Sequence, residues 1–122
     1  MRKILLADDE DNLRLLVHTT LEDEEYEIME AENGSQALEM AREHLPDLVL
    51  LDWMMPGMTG VEVTAAIRAD EALSGTPVIL LTAKSQESDQ QAGREAGVSD
   101  YIVKPFSPTE LLEKVRRILV QT

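Results

Sequence analysis

The stretch Asp47-Leu-Val-Leu-Leu-Asp52-Trp-Met-Met-Pro56-Gly57-Met-Thr-Gly60 decides how the rest of the chain is read. Leu48 to Leu51 is an apolar run too short for a helix and branched enough for a strand buried on both faces. An acid follows at once. Asp52 is thereby expected at the carboxyl end of a central strand, the edge of an open α/β sheet where ligands bind. Pro56, Gly57 and Gly60 oppose an immediate helix, so the chain leaves Asp52 through a loop and the carboxylate faces an open crevice. An aspartate after a strand is also an ordinary helix cap, and from this stretch alone both readings stand.

Working outward, Lys3 to Ala7 reads as a short strand that ends in Asp8-Asp9-Glu10-Asp11, followed by a helix with Leu13, Leu16, Val17 and Leu21 on its apolar side. Tyr26 to Ala31 reads as a weaker edge strand that stops at Asn33-Gly34, a turn in which Gly34 is expected to supply φ > 0. Ser35 opens a second helix with Ala37, Leu38, Ala41 and Leu45 inward, and Pro46 ends it. Beyond the central stretch, Val61 to Arg68 is a third helix, broken by Ser74-Gly75-Thr76-Pro77 before the strand Val78 to Leu81. A polar helix from about Gln86 to Ala96 offers only Ala92 and Ala96 as an apolar stripe and is expected to be loosely held. Tyr101 to Val103 is a fifth strand, and Leu111, Leu112, Val115, Ile118 and Leu119 mark a strong last helix.

Five strands alternating with five helices imply one domain, residues 1–122, with a doubly wound five-stranded parallel sheet and helices on both faces. All strand carboxyl ends then share a rim, which collects Asp8 and Asp9, Asp52, Thr82 and Lys104. Crowded carboxylates about 4 Å apart repel by roughly 4 kcal/mol per pair at an effective dielectric near 20. A cation must offset that. With oxygen donors and neither His nor Cys at the rim, a hard ion such as Mg²⁺ fits, with Mn²⁺ as its substitute. A divalent ion and the Lys104 ammonium around a carboxylate suit phosphoryl transfer, with Asp52 as the nucleophile. Thr82 stands where its hydroxyl can reach a phosphoryl oxygen.

Composition narrows the field. The chain has 24 acidic against 11 basic residues, a net charge of −13, which repels nucleic acid over most of the surface. There is no cysteine, which removes disulfides and thiolate metal sites. The apolar run after Met1-Arg-Lys is too short for a signal peptide or membrane span, so a soluble, cytoplasmic protein is expected. His18 and His44 read as surface residues.

The order and spacing of these residues resemble a response-regulator receiver domain of two-component signalling. The resemblance rests on the Asp8-Asp9 pair, the lone Asp52 of Leu-Leu-Asp-Trp-Met-Met-Pro-Gly-Met-Thr-Gly, Thr82-Ala83, and Lys104-Pro105-Phe106. It implies a flavodoxin-like sheet of order 2-1-3-4-5 and a chain that takes a phosphoryl group from a histidine kinase or phosphotransfer protein onto Asp52. By the same resemblance, Asp9, Asp52 and the Met54 carbonyl ligate Mg²⁺, with Asp8 acting mainly through water. Lys104 pairs with the phosphoryl group, its peptide to Pro105 is cis, and Thr82 and Tyr101 are the switch residues. Met54 and Lys84 border the path of attacking water and are expected to tune the lifetime of the aspartyl phosphate.

The resemblance further implies a signalling phosphoacceptor rather than an enzyme, one that catalyses only its own phosphorylation and dephosphorylation. The face made by the fourth helix, fifth strand and fifth helix is expected to respond and to control a partner or output domain. That face is also a candidate for homodimerisation on phosphorylation, although Lys114, Arg116, Glu95 and Asp100 match the inter-subunit salt-bridge set of winged-helix regulators only in part. Gln90 and Ala96 stand where that subfamily carries charges. Two other classes share features. A flavodoxin-type electron carrier would need a phosphate-binding loop where Asp8 to Asp11 stand. A Mg²⁺-dependent phosphatase with an aspartyl nucleophile would carry a second acid at position 54, which here is Met54.

Overall fold

The computed structural model describes residues 2–22, 24–83 and 87–120. Its elements are β1 (Lys3–Ala7), α1 (Asp11–Glu22), β2 (Glu27–Ala31), α2 (Gly34–His44), β3 (Leu48–Asp52), α3 (Gly60–Ala69), β4 (Val78–Thr82), α4 (Glu87–Ala96), β5 (Asp100–Val103) and α5 (Pro108–Val120). The strands form one parallel sheet in the order β2-β1-β3-β4-β5. The order of winding reverses between β1 and β3: strands are added outward to β2 on one side and to β4 and β5 on the other. The crevice at that switch point is where such sheets bind ligands.

Both faces of the sheet are buried, which is why the central strands read as unbroken apolar runs. Leu5, Ala7, Val49, Leu51, Val78 and Leu80 point to one side and pack with Ala37, Ala41, Val63 and Ile67 of α2 and α3. Ile4, Leu6, Leu48, Leu50, Ile79 and Leu81 point to the other, against Val17 and Leu21 of α1 and Leu111, Val115 and Leu119 of α5. The alternation within each strand is the period of two that a pleated backbone dictates.

The helix faces depart from expectation at several places. Leu16 is exposed, and Arg14 instead is buried beside Val17 and Leu21. Leu45 is exposed because it is the C-cap of α2, turned into the left-handed region at φ 49 and ψ 65 immediately before Pro46. Ala92 faces solvent, while Gly93 is buried and Ala96 half-buried. Gln86, expected at the start of this helix, lies outside the described residues.

Asn33-Gly34 is not the turn predicted. Asn33 is the extended N-cap of α2, its side chain accepting the Gln36 N–H at 2.8 Å, and Gly34 is the first helical residue. Glycine is required at position 34 by close approach rather than by φ: a Cβ there would lie 2.4 Å from the Met58 carbonyl oxygen and 2.6 Å from Met58 Cβ. The start of α2 thus leans directly on the loop that leaves Asp52. That loop is closed by a capping box, with Thr59 accepting from Glu62 N–H and Glu62 accepting from Thr59 N–H. At the far end of α3, Arg68 ties three segments together, donating to the carbonyls of Thr76 (2.6 Å), Ser74 (3.1 Å) and Gly97 (2.9 Å). No helix among the described residues is long and apolar enough to cross a membrane.

Gly34→Ala should destabilise the fold by about 1–3 kcal/mol, the usual cost of forcing a methyl into filled space, although alanine is the better helix former. Urea unfolding checks this through the shift in midpoint. A midpoint at or above that of the parent would mean the Met58 loop yields freely.

Candidate functional site

Strand register assembles the site. Ala7 pairs with Leu51, Asp52 with Leu81, and Thr82 with Val103, so residues that end or follow these strands emerge side by side. Asp8, Asp9 and Asp52 each place a carboxylate oxygen within 4.8 Å of the others. Lys104 reaches in from the end of β5, its Nζ 3.0 Å from Asp52 Oδ1 and 3.5 Å from Asp8 Oδ2. The Lys104 backbone N–H donates to the Thr82 carbonyl at 2.7 Å, and its peptide to Pro105 is cis. Asp8 is fully buried and its Oδ1 accepts the Glu10 N–H at 2.8 Å. Asp9 is exposed and Asp52 nearly buried. Asp52, Asp9, Thr82, Lys104 and Met54 border a single crevice of about 330 Å³.

Electrostatics here are unfavourable by construction. Burial pushes the Asp8 carboxyl above its ordinary value, and the Asp52 charge adds to this against the Glu10 N–H and Lys104. Burial likewise raises Asp52, with Lys104 opposing and the charge of Asp9 reinforcing. For Lys104, burial works against the charged form, but the hydrogen bond to Asp52 and the charges of Asp8 and Asp52 outweigh it, so its pKa is raised. One ammonium therefore offsets three carboxylates only in part. The donor set is all oxygen, compact and partly open, which is what a hard divalent cation requires and a soft one does not.

The five residues expected on the rim, Asp8, Asp9, Asp52, Thr82 and Lys104, are thus brought together. Met54 stands at the mouth of the crevice with its side chain 61% exposed. Lys84 lies outside the described residues. Tyr101 is away from the crevice, half-buried on the α4 side of the sheet. His18 is engaged by Glu30, Nδ1 to Oε2 at 2.7 Å, and takes no part. Sequence reasoning missed two residues. Arg14 contacts the acidic loop from behind, and Gly93 adjoins Tyr101; a charge on an amphipathic helix and a glycine in a polar one give no signal in periodicity.

Residues 4–116 match the model of the response regulator receiver domain. The chain belongs to that family. Among its relatives, the receiver domain is 43% identical over 121 residues to the phosphate regulon transcriptional regulatory protein PhoB of Pseudomonas aeruginosa, covering 99% of this chain and 53% of that one. It is 50% identical over 117 residues to the transcriptional regulatory protein ResD of Bacillus subtilis, covering 96% and 48% respectively. The chain therefore spans about half the length of these curated relatives.

Solved structures agree. The receiver fold superposes on chemotaxis protein CheY4 of Vibrio cholerae with a TM-score of 0.92 at 36% identity, over 97% of this chain and 98% of that one. The receiver domain of the sensor histidine kinase PA1611 from Pseudomonas aeruginosa, with a magnesium ion coordinated in its active site cleft, matches with a TM-score of 0.90 at 30% identity, over 98% of each chain. Receiver domains bind Mg²⁺ through acidic residues and interact with histidine kinases or phosphotransfer proteins.

The raised carboxyls set a sign for pH dependence. Where a folded-state carboxyl titrates above its unfolded value, the folded state holds more protons, so its contribution makes stability fall as pH rises from the ordinary carboxylate range through the raised value. Lys104, also raised, contributes stability that persists to alkaline pH and is lost only above its ordinary range. Asp8→Asn, which can still accept from Glu10 N–H, should therefore make the metal-free protein more stable at neutral pH, on the order of 1 kcal/mol, and flatten its decline above about pH 4. Thermal unfolding of parent and variant between about pH 4 and pH 8 checks this. A variant less stable at pH 7 than the parent contradicts it.

Proposed function

We propose that this receiver domain accepts a phosphoryl group from a histidine kinase or phosphotransfer protein onto Asp52 and passes the event to its α4-β5-α5 face. What supports this most directly is the Lys104 ammonium 3.0 Å from an Asp52 oxygen, with Asp8 and Asp9 converging on the same carboxylate. An Asp52 oxygen attacks phosphorus, the bond from phosphorus to the donor's imidazole nitrogen breaks, and that nitrogen leaves with the electron pair and regains a proton. Lys104 pairs with a phosphoryl oxygen as charge shifts onto it, and the Thr82 hydroxyl donates to another. Asp9, Asp52 and the Met54 carbonyl would hold a Mg²⁺ or Mn²⁺ ion, with Asp8 acting through water, and the ion would neutralise the remaining phosphoryl charge. The chain acts on itself, catalysing its own phosphorylation and dephosphorylation, and regulates a partner or an output domain.

Two residues are proposed to set the lifetime of the adduct. Met54, apolar and exposed at the crevice mouth, covers the phosphoryl group without orienting a water, and Lys84 offers no general base. The α4-β5-α5 face is proposed as the responsive surface. Its Lys114 is engaged within the chain, donating to the Tyr101 carbonyl (2.6 Å) and Asp100 (3.2 Å), and Arg116 pairs with Glu24. A second copy docking there on phosphorylation must exchange these internal pairs for its own.

Incubation with acetyl phosphate and Mg²⁺, followed by intact mass, tests the acceptor. The parent should gain one phosphoryl group, Asp52→Asn none, and Met54→Asn should gain it and lose it faster. Full labelling of Asp52→Asn removes the assignment, and steady turnover of added phosphoesters by the parent would make the chain a phosphatase instead.

Tyr101 can be tested through its neighbour. A Cβ on Gly93 would fall 2.2 Å from the Tyr101 hydroxyl and 2.9 Å from two ring carbons, so the ring occupies a seat that exists because residue 93 is glycine. Burial in that seat raises the Tyr101 pKa. Gly93→Ala should push the ring outward, shift its NMR signals, and erase their response to beryllofluoride, while labelling of Asp52 persists. Unchanged ring signals with an intact response would remove Tyr101 from the switch.

A further inference from the structure

We infer that Arg14 is a positioning residue for the metal-binding carboxylates, acting on the acidic loop from the side opposite the crevice. The inference rests on the proposal that Asp8, Asp9 and Asp52 hold a divalent cation. Asp8, Asp9, Glu10 and Asp11 are consecutive acids joining β1 to α1, a segment whose like charges repel one another and favour a more open loop.

Arg14, from the first turn of α1, folds back under that segment and is 8% exposed. Its Nη1 donates to the Asp8 carbonyl at 2.7 Å, and its Nη2 pairs with the Asp11 carboxylate. One guanidinium thus grips both ends of the loop. From the sheet edge, Glu30 accepts Arg14 Nε at 3.2 Å and Glu32 lies 3.7 Å from Nη2. Glu30 is itself held by His18, 2.7 Å away.

This arrangement differs from a surface ion pair. The planar fork satisfies acceptors on α1, on β2 and on the Asp8 carbonyl just beyond β1 at once, a geometry that an ammonium cannot reproduce. The Asp8 N–H donates to the Ala31 carbonyl of β2 at 3.2 Å, so the backbone of the residue carrying the buried carboxylate is fixed at both its polar atoms. Arg14 touches no carboxylate oxygen of Asp8, Asp9 or Asp52 in these hydrogen bonds; its effect reaches the cation through the loop. Residues one shell removed from a metal typically change its affinity by about 10–100-fold when lost.

The test is a Mg²⁺ titration followed by fluorescence of Trp53, the sole tryptophan and the neighbour of Asp52. Arg14→Met should raise half-saturating Mg²⁺ by about tenfold or more, with the phosphorylation rate at saturating Mg²⁺ close to that of the parent. Arg14→Lys should fall between them, and Glu30→Gln, which loosens Arg14 without removing it, should give a smaller rise. Arg68→Met removes a guanidinium remote from the loop and controls for loss of stability. Parent-like half-saturation in Arg14→Met, or an equal rise in Arg68→Met, overturns the inference. If Arg14→Met fails to fold, Arg14→Lys and Glu30→Gln decide by the same criterion. A parent with no saturable Mg²⁺ response overturns the metal reading itself, and this inference with it.

Discussion

Three carboxylates held within 4.8 Å of one another, with one ammonium among them, are the constraint on which the rest of the structure turns. At an effective dielectric near 20 each carboxylate pair costs roughly 3–4 kcal/mol, a large share of the stability of a domain this size. Left to relax, the loops would separate these charges. They are kept together because the residues before them, Ala7 and Leu51, belong to strands buried on both faces and are paired with each other in fixed register. Slippage by one residue would turn each strand's side chains to the wrong layer. The hydrophobic core thus supplies the energy that holds the site in a high-energy arrangement, one that a divalent cation would relieve.

The same division appears in how firmly each part is held. β3 and β4 are buried throughout and β1 is buried beyond Lys3, so none of them can move without exposing apolar surface. Among its described side chains α4 buries Gly93 and half-buries Ala96, and its C-terminal end is tied to the body by the bond from Arg68 to Gly97. Regions with few buried apolar contacts open at low free energy, and an element pinned at one end pivots about that end. β5 links the two regimes: Lys104 at its carboxyl end touches Asp52, while Tyr101 within it rests against α4. A change in charge at Asp52 and a change in packing at α4 therefore share one short strand.

Much of this was legible in the sequence. Apolar runs of strand length ending in Asp8, Asp52, Thr82 and Lys104 fix the alternation of elements, and parallel alternation forces the strand ends onto one rim whatever the detailed packing. The family resemblance covers the same residues, and the sheet order it implied is the one observed. The five rim residues were identifiable because each ends or follows a strand, and in a parallel sheet chain direction alone decides which end it joins.

What the tertiary structure alone decided concerns faces and close approaches. Leu16 and Leu45 carry the right polarity for the core, yet Leu16 lies on the outward side of α1 and Leu45 sits in a left-handed cap, so both face water. Arg14 is buried because three acidic neighbours from two elements meet its guanidinium, a coincidence that no window of one helix contains. Gly34 and Gly93 are required by Met58 and Tyr101, residues of other elements that arrive against them only after folding. Sequence patterns report the average polarity of a position's surroundings, which local periodicity sets. The identity of the atom that fills the last 3 Å is a property of two chain segments together, and becomes defined only when they pack.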